Sequence, residues 1–230
     1  MKIFFRLLLA HLLADFTLQT NYIAKWKKEK FLGVVFHSTI FLALALIFTY
    51  KDVHKIWFDY PIKLSGIWCL LILFLLHIIE DEYRAYNVRR YHINDTILFF
   101  FWDQIIHIVF LFVFSPYREG EPELIVIILC LLIVGTHVTS IFTLYTDTMF
   151  YGNSVAYEFF EKKYIAITVR LITLLLFLFF NKHYYIIFML IPVSWLLNKK
   201  YKHLTNAGWY VSTVISYGIG IYFAKLLRSI

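Results

Sequence analysis

Apolar residues along this chain arrive in long runs, not in the alternation of a half-buried sheet or the narrow stripe of a water-facing helix. The runs lie near 3–21, 31–50, 64–81, 96–114, 123–146, 164–181, 184–198 and 208–227, separated by short polar stretches. Most approach the ~20 residues that a helix needs to cross a ~30 Å hydrocarbon layer. The pattern predicts an all-α fold, a polytopic transmembrane helix bundle of seven or eight spans. The lower number applies if the short run 184–198, which contains Pro192, is tilted or re-entrant. One transmembrane domain over 1–230 is expected, with 1–115 as a four-helix core and 116–230 as additional helices.

Composition strengthens that expectation. The 230 residues are 61% hydrophobic, 20% aromatic and only 16% charged, too apolar for a water-soluble domain of this length. The net charge of +7 collects in short clusters between the runs, KWKKEK (25–30), RR (89–90) and KKYK (199–202). Such clusters suit anionic lipid headgroups, and nothing else suggests nucleic acid. With eight spans, the loops after the odd-numbered ones hold the larger share of Lys and Arg, and the opposite side, Arg118 included, holds fewer. The positive-inside rule then makes the first side cytoplasmic. Cys69 and Cys130 each fall inside an expected span, which speaks against a disulfide framework. Lys2 and Arg6 precede an apolar run in the manner of a signal peptide, but His11 and Asp15 interrupt that run, so a retained first helix is expected.

The chemistry lies in the polar residues that break the runs. HLLADFTLQ places His11, Asp15 and Gln19 in the first span, and GVVFHS places His37 in the second. HIIEDEYR closes the third with His77, Glu80, Asp81 and Arg84, and FWDQIIH gives the fourth Asp103, Gln104 and His107. An ionisable group inside a span costs ~2.5–3.5 kcal/mol on insertion scales, so such residues face the bundle interior and serve a purpose. His11/Asp15, His77/Asp81 and Asp103/His107 share one offset of four residues, which sets both members on one helical face. Helix direction alternates, yet at ~1.5 Å per residue all these positions fall in one membrane half, nearer the cytoplasmic face. They can converge.

Imidazole with carboxylate is the ligand set of a divalent transition metal, zinc foremost, and seven candidates (His11, Asp15, His37, His77, Asp81, Asp103, His107) suffice for one or two ions. Gln19, Gln104 and Glu80 would orient them. Metal-assisted hydrolysis of a lipid or lipid-linked substrate follows as the expected activity, with Asp15 or Asp103 as catalytic base. Arg84 or Arg170 would hold an anionic headgroup, and membrane lipids would be the partners. Two other readings stay open: a metal-ion or proton transporter, and a non-enzymatic membrane effector or assembly subunit in which the cluster only joins helices. The apolar opposite leaflet (Leu7 to Ala10, Phe41 to Phe48) counts against a pore. His137 with Thr136, Ser140 and Thr143 reads as inter-helix hydrogen bonding, and Ser212, Ser216 and Gly220 as close packing.

Taken in order, LLLAHLLADFTLQ, GVVFHS, HIIED and FWDQIIH resemble the successive motifs of the bacterial membrane proteins classed as domain of unknown function 3307. The resemblance covers roughly residues 3–110, while 120–230 are only loosely similar to the longer members. It implies a multi-spanning bacterial inner-membrane protein and supplies no activity.

Overall fold

The computed structural model describes residues 1–59, 61–91, 96–116 and 120–228; Arg118 lies outside the described residues. Among the described residues the chain is all-α apart from one small hairpin. In order it forms α1 (Lys2–Leu12) running into a π turn (Leu13–Thr17), α2 (Asn21–Glu29), α3 (Phe31–Thr49), β1 (Ile56–Phe58), β2 (Leu64–Ser65), α4 (Gly66–Tyr91) and α5 (Ile97–Val113). There follow α6 (Leu124–Ile133), a second π turn (Val134–Val138), α7 (Thr139–Tyr151), α8 (Asn153–Phe160), α9 (Lys163–Phe179), a 3-10 segment (Asn181–Met189), α10 (Leu190–Tyr201) and α11 (Asn206–Leu226). Two compact units divide it, Met1–Cys130 and Leu131–Ile230.

In the first unit, α1, α3, α4 and α5 pack around Ile3, Leu7, Ala10, Phe41, Ala45, Leu70, Leu73 and Leu111, all buried. Hydroxyls on α3 donate to carbonyls one turn back, Ser38 to Val34 and Thr49 to Ala45, so polar atoms enter the core already satisfied. Thr20 and Thr96 cap α2 and α5 by accepting from the backbone N–H of Ile23 and Phe99. The hairpin pairs β1 and β2 antiparallel, with Ile56 opposite Ser65. Trp57 closes its base, donating from Nε1 to the Asp52 carbonyl at 2.9 Å. The Lys55 ammonium, 2.6 Å from Asp52, holds that carboxyl below its ordinary range, with Lys2 and Arg6 adding to the effect. The second unit is centred on Phe177, Ile187 and Tyr217, and α11 is capped by the Thr205 hydroxyl.

The seven or eight spans are not reached. By length and composition, two helical rods among the described residues are apolar enough to cross a membrane, Phe31–Thr49 and Leu124–Tyr151. A third is added if Lys2–Thr17 and Asn21–Glu29, bent by 91°, form one broken span. The physical reasons are local. The π turn and Thr20 end the first run early, the apolar part of α4 stops at HIIEDEYR, and α5 and α9 have only 17 residues. Near Pro192, a 3-10 segment replaces the start of the seventh run and leaves α10 with 12 residues. Several basic residues used in the charge comparison are also engaged inside the first unit: Lys27 with Asp81, Arg84 with Asp103, and Arg6 with Asp52 and Glu123.

Candidate metal centre

Four helices and one turn of the first unit bring the polar motifs to one place. His11 sits in the last turn of α1, and Asp15 lies within the π turn, whose extra residue widens the helix there. α3 supplies His37, α4 supplies His77, Glu80 and Asp81, and α5 supplies Asp103, Gln104 and His107. All except Gln104 are buried, His11 and His37 completely. The imidazoles touch one another: His11 stacks on His107 with ring centroids 5.0 Å apart, and His77 lies 4.4 Å from His107 and 5.3 Å from His37. The seven residues expected as metal ligands therefore lie in one cluster.

Two hydrogen-bond chains set the protonation pattern. Arg84 donates to Asp103 Oδ2 at 2.7 Å, and the Gln104 amide nitrogen donates to the same oxygen at 2.9 Å. The Gln104 amide oxygen then faces His11 Nε2 at 3.2 Å, so that nitrogen carries the proton. His11 Nδ1 is left with a lone pair, 3.4 Å from Asp15 Oδ1. His107 Nδ1 donates to the Asp103 carbonyl at 2.9 Å, which frees the Nε2 lone pair. Lone pairs facing carboxylate oxygens repel unless a cation lies between them.

The distances agree with that chemistry. His37 Nε2 lies 3.3 Å from Asp15 Oδ1 and 3.6 Å from Asp81 Oδ2, and His77 Nε2 lies 3.7 and 3.4 Å from the same two oxygens. None of these four atoms has a hydrogen-bond partner, although all are buried. Ligands held at about 2.0–2.1 Å around a tetrahedral ion stand roughly 3.3–3.4 Å from each other. Glu80 Oε2, 3.5 Å from His107 Nδ1, and Asp103 Oδ1 are likewise buried and unpartnered. The donor atoms fall into three overlapping groups of metal-binding size: His11, Asp15 and His77; His37, His77 and Asp81; Glu80, Asp81, Asp103 and His107. Charge points the same way. Asp81 and Asp103 are paired with Lys27 and Arg84, whereas Asp15 has no Lys or Arg partner among the described residues and faces only imidazoles, so its charge is left for a bound cation to offset.

Three placements differ from the expected ones. Glu80, expected beside the cluster, is inside it. Lys27, read as part of a headgroup-facing run, donates to Asp81 Oδ1 at 2.7 Å with a mostly buried side chain. Its signal was Gly33: a Cβ there would come within 2.5 Å of the Trp26 backbone, so the glycine lets α2 lie against α3. Arg84, expected to hold a headgroup, is bonded to Asp103. Gln19 lies beyond the π turn, half-buried, with its amide oxygen unpartnered. Arg170 belongs to the second unit, where it donates to Ser212 and Ser140.

The family described as protein of unknown function, DUF3307, matches residues 3–128, more than half of the chain and all of the cluster. No curated protein and no solved structure is significantly similar.

Proposed function

The chain belongs to the DUF3307 family, and we propose that its first unit is a membrane-embedded site that binds a divalent transition metal and hydrolyses a lipid or lipid-linked substrate. The observation that carries this is the set of buried, unpartnered atoms His37 Nε2, His77 Nε2, Asp15 Oδ1 and Asp81 Oδ2 at mutual nitrogen-to-oxygen distances of 3.3–3.7 Å. Without a cation, buried carboxylates and lone pairs in this arrangement are strongly unfavourable.

His11, His37, His77, Asp15 and Asp81 would hold the metal, with Glu80 and His107 extending the donor set for a second ion. A bound ion of this class would polarise a carbonyl or phosphoryl oxygen and make water more acidic. Asp103 would act as general base: Arg84 and Gln104 both bind Oδ2, which fixes the carboxylate and leaves Oδ1 to accept a proton. Lys27 holds Asp81 and offsets part of its charge. A lipid substrate fits the surroundings, because the outer faces of α4 and α5 are apolar (Trp68, Leu75, Ile79, Leu98, Ile105, Val109) while their inner faces carry the cluster.

Elemental analysis of the full chain, purified in detergent without chelator, tests the first half. About one or two transition-metal ions per chain are expected, falling to background in a His37→Ala/His77→Ala variant. Full metal content in that variant, or none in the wild type after zinc loading, would overturn the site. Hydrolysis of mixed micelles of phospholipids and lipid phosphates tests the second half. Asp103→Asn should keep the metal and lose at least about a hundredfold in turnover. Metal binding without any hydrolysis would leave a metal-binding membrane protein and sink the hydrolase.

A further inference from the structure

The second unit contains a buried cation that no carboxylate among the described residues neutralises. Arg170, on α9, is 2% exposed. It donates to two neutral hydroxyls, Nη1 to Ser212 Oγ on α11 at 3.0 Å and Nη2 to Ser140 Oγ on α7, while Nε has no partner. Among the described residues no carboxylate is ion-paired with it. Asp147, which shares a neighbouring cavity with Arg170, is committed elsewhere and accepts from the Thr205 hydroxyl at 2.5 Å. Burying a guanidinium with only neutral partners is expensive, and the usual resolution is an anion.

The space beside it has the right donors. One cavity is lined by Arg170, Ser194, His203, Ser212, Thr213 and Ser216, together with apolar side chains. Two further lining groups are buried to the same degree and equally unpartnered, His203 Nδ1 and Ser216 Oγ, at 3% and 2% exposure. The cavity offers about 30 Å³ to water-sized groups, enough for one or two waters or the oxygens of one compact oxyanion. The local field is positive. Burial, and after it the Arg170 and Lys162 cations, push the His203 imidazole below its ordinary proton affinity.

We propose that this cavity is an anion site for a phosphate group, with Arg170 Nε, the His203 imidazole and the Ser216 hydroxyl donating to its oxygens. Three donors from α9, the α10–α11 connection and α11 match a tetrahedral oxyanion better than a halide, and charge-assisted bonds of this kind are the strong ones. The phosphate is either free inorganic phosphate or the headgroup of a membrane lipid. The site rests on residues 131–230 alone and stands or falls independently of the metal centre.

The test uses the full chain in detergent and in nanodiscs, read by thermal denaturation and by titration with inorganic phosphate or short-chain phosphatidic acid. Phosphate is expected to raise the Tm by several degrees at saturation, and Ser216→Ala to weaken binding by about tenfold while folding normally. Arg170→Lys keeps the charge but removes the donor at Nε, and should weaken binding at least as much. Response to inorganic phosphate identifies a free anion, and response only to phosphatidic acid identifies a headgroup. No response to either, equal response to chloride at matched ionic strength, or unchanged affinity in both variants would overturn the proposal.

Discussion

Lys27 and Asp81 show what a single residue decides in this cluster. The ammonium is 2.7 Å from a carboxylate that is almost fully buried and that also faces His37 and His77. Removing one member of a buried ion pair leaves the other uncompensated, typically at about 3–5 kcal/mol. Lys25, two residues away, is exposed and meets Glu29 only at 3.9 Å, a pair worth little in water. Lys27→Met should therefore lower the melting temperature by many degrees, and Lys25→Met by almost none. Thermal unfolding of both variants in one detergent checks this, and equal small shifts would remove Lys27 from the cluster's support. The same residues mark what was legible in the sequence. The repeated offset of four made His11/Asp15, His77/Asp81 and Asp103/His107 visible, because that spacing shares a helical face. That offset leaves Glu80 only an orienting role, although an offset of three from His77 shares the face equally well. Lys27 could not be separated from Lys25 and Lys28, since a run of lysines carries no periodic signal and only the fold selects one of them.

At the level of elements, the position of α2 follows from one glycine. A Cβ at Gly33 would lie 2.5 Å from the Trp26 carbonyl carbon and 2.6 Å from the Lys27 nitrogen, both backbone atoms that no rotamer change can move aside. Gly33→Ala should push α2 off α3, stretch the Lys27–Asp81 pair and cost about 1–3 kcal/mol. Gly218 on α11 provides the control, because nothing lies within 4 Å of its would-be Cβ and alanine there only improves helix propensity. Circular dichroism melts of the two variants should move in opposite directions. Hydropathy located α3 to within a residue or two, because its ends coincide with Lys30 and Lys51, but it missed the π turn at Leu13–Thr17 and the hairpin at 56–65. Neither has a periodic signature. A π turn shifts the phase of one apolar run without breaking it, and IWF followed by LS is too short to alternate.

Over the molecule as a whole, the expectation of many spans and the two or three rods of sufficient length differ because window hydropathy counts residues, whereas crossing a bilayer needs uninterrupted helix. Whether α5 faces lipid turns on a different property, the side on which its polarity lies. Asp103 and His107 point inward and are buried, while Leu98, Trp102, Ile105 and Val109 point outward, with Ile105 55% exposed. A helix in water has the opposite arrangement. Substitution of Ile105 by arginine separates the two solvents. In water a charge on an exposed face is nearly neutral for stability and improves solubility. In hydrocarbon it costs ~2.5–3.5 kcal/mol, beyond what a marginal insertion tolerates. Ile105→Arg should therefore sharply reduce the amount of chain that stays with membranes after an alkaline carbonate wash, whereas Lys25→Arg on α2 should leave it unchanged. Recovery of wild-type chain in the wash supernatant, with Ile105→Arg folding as well as wild type there, would instead make the apolar faces of α4 and α5 a surface covered by another protein.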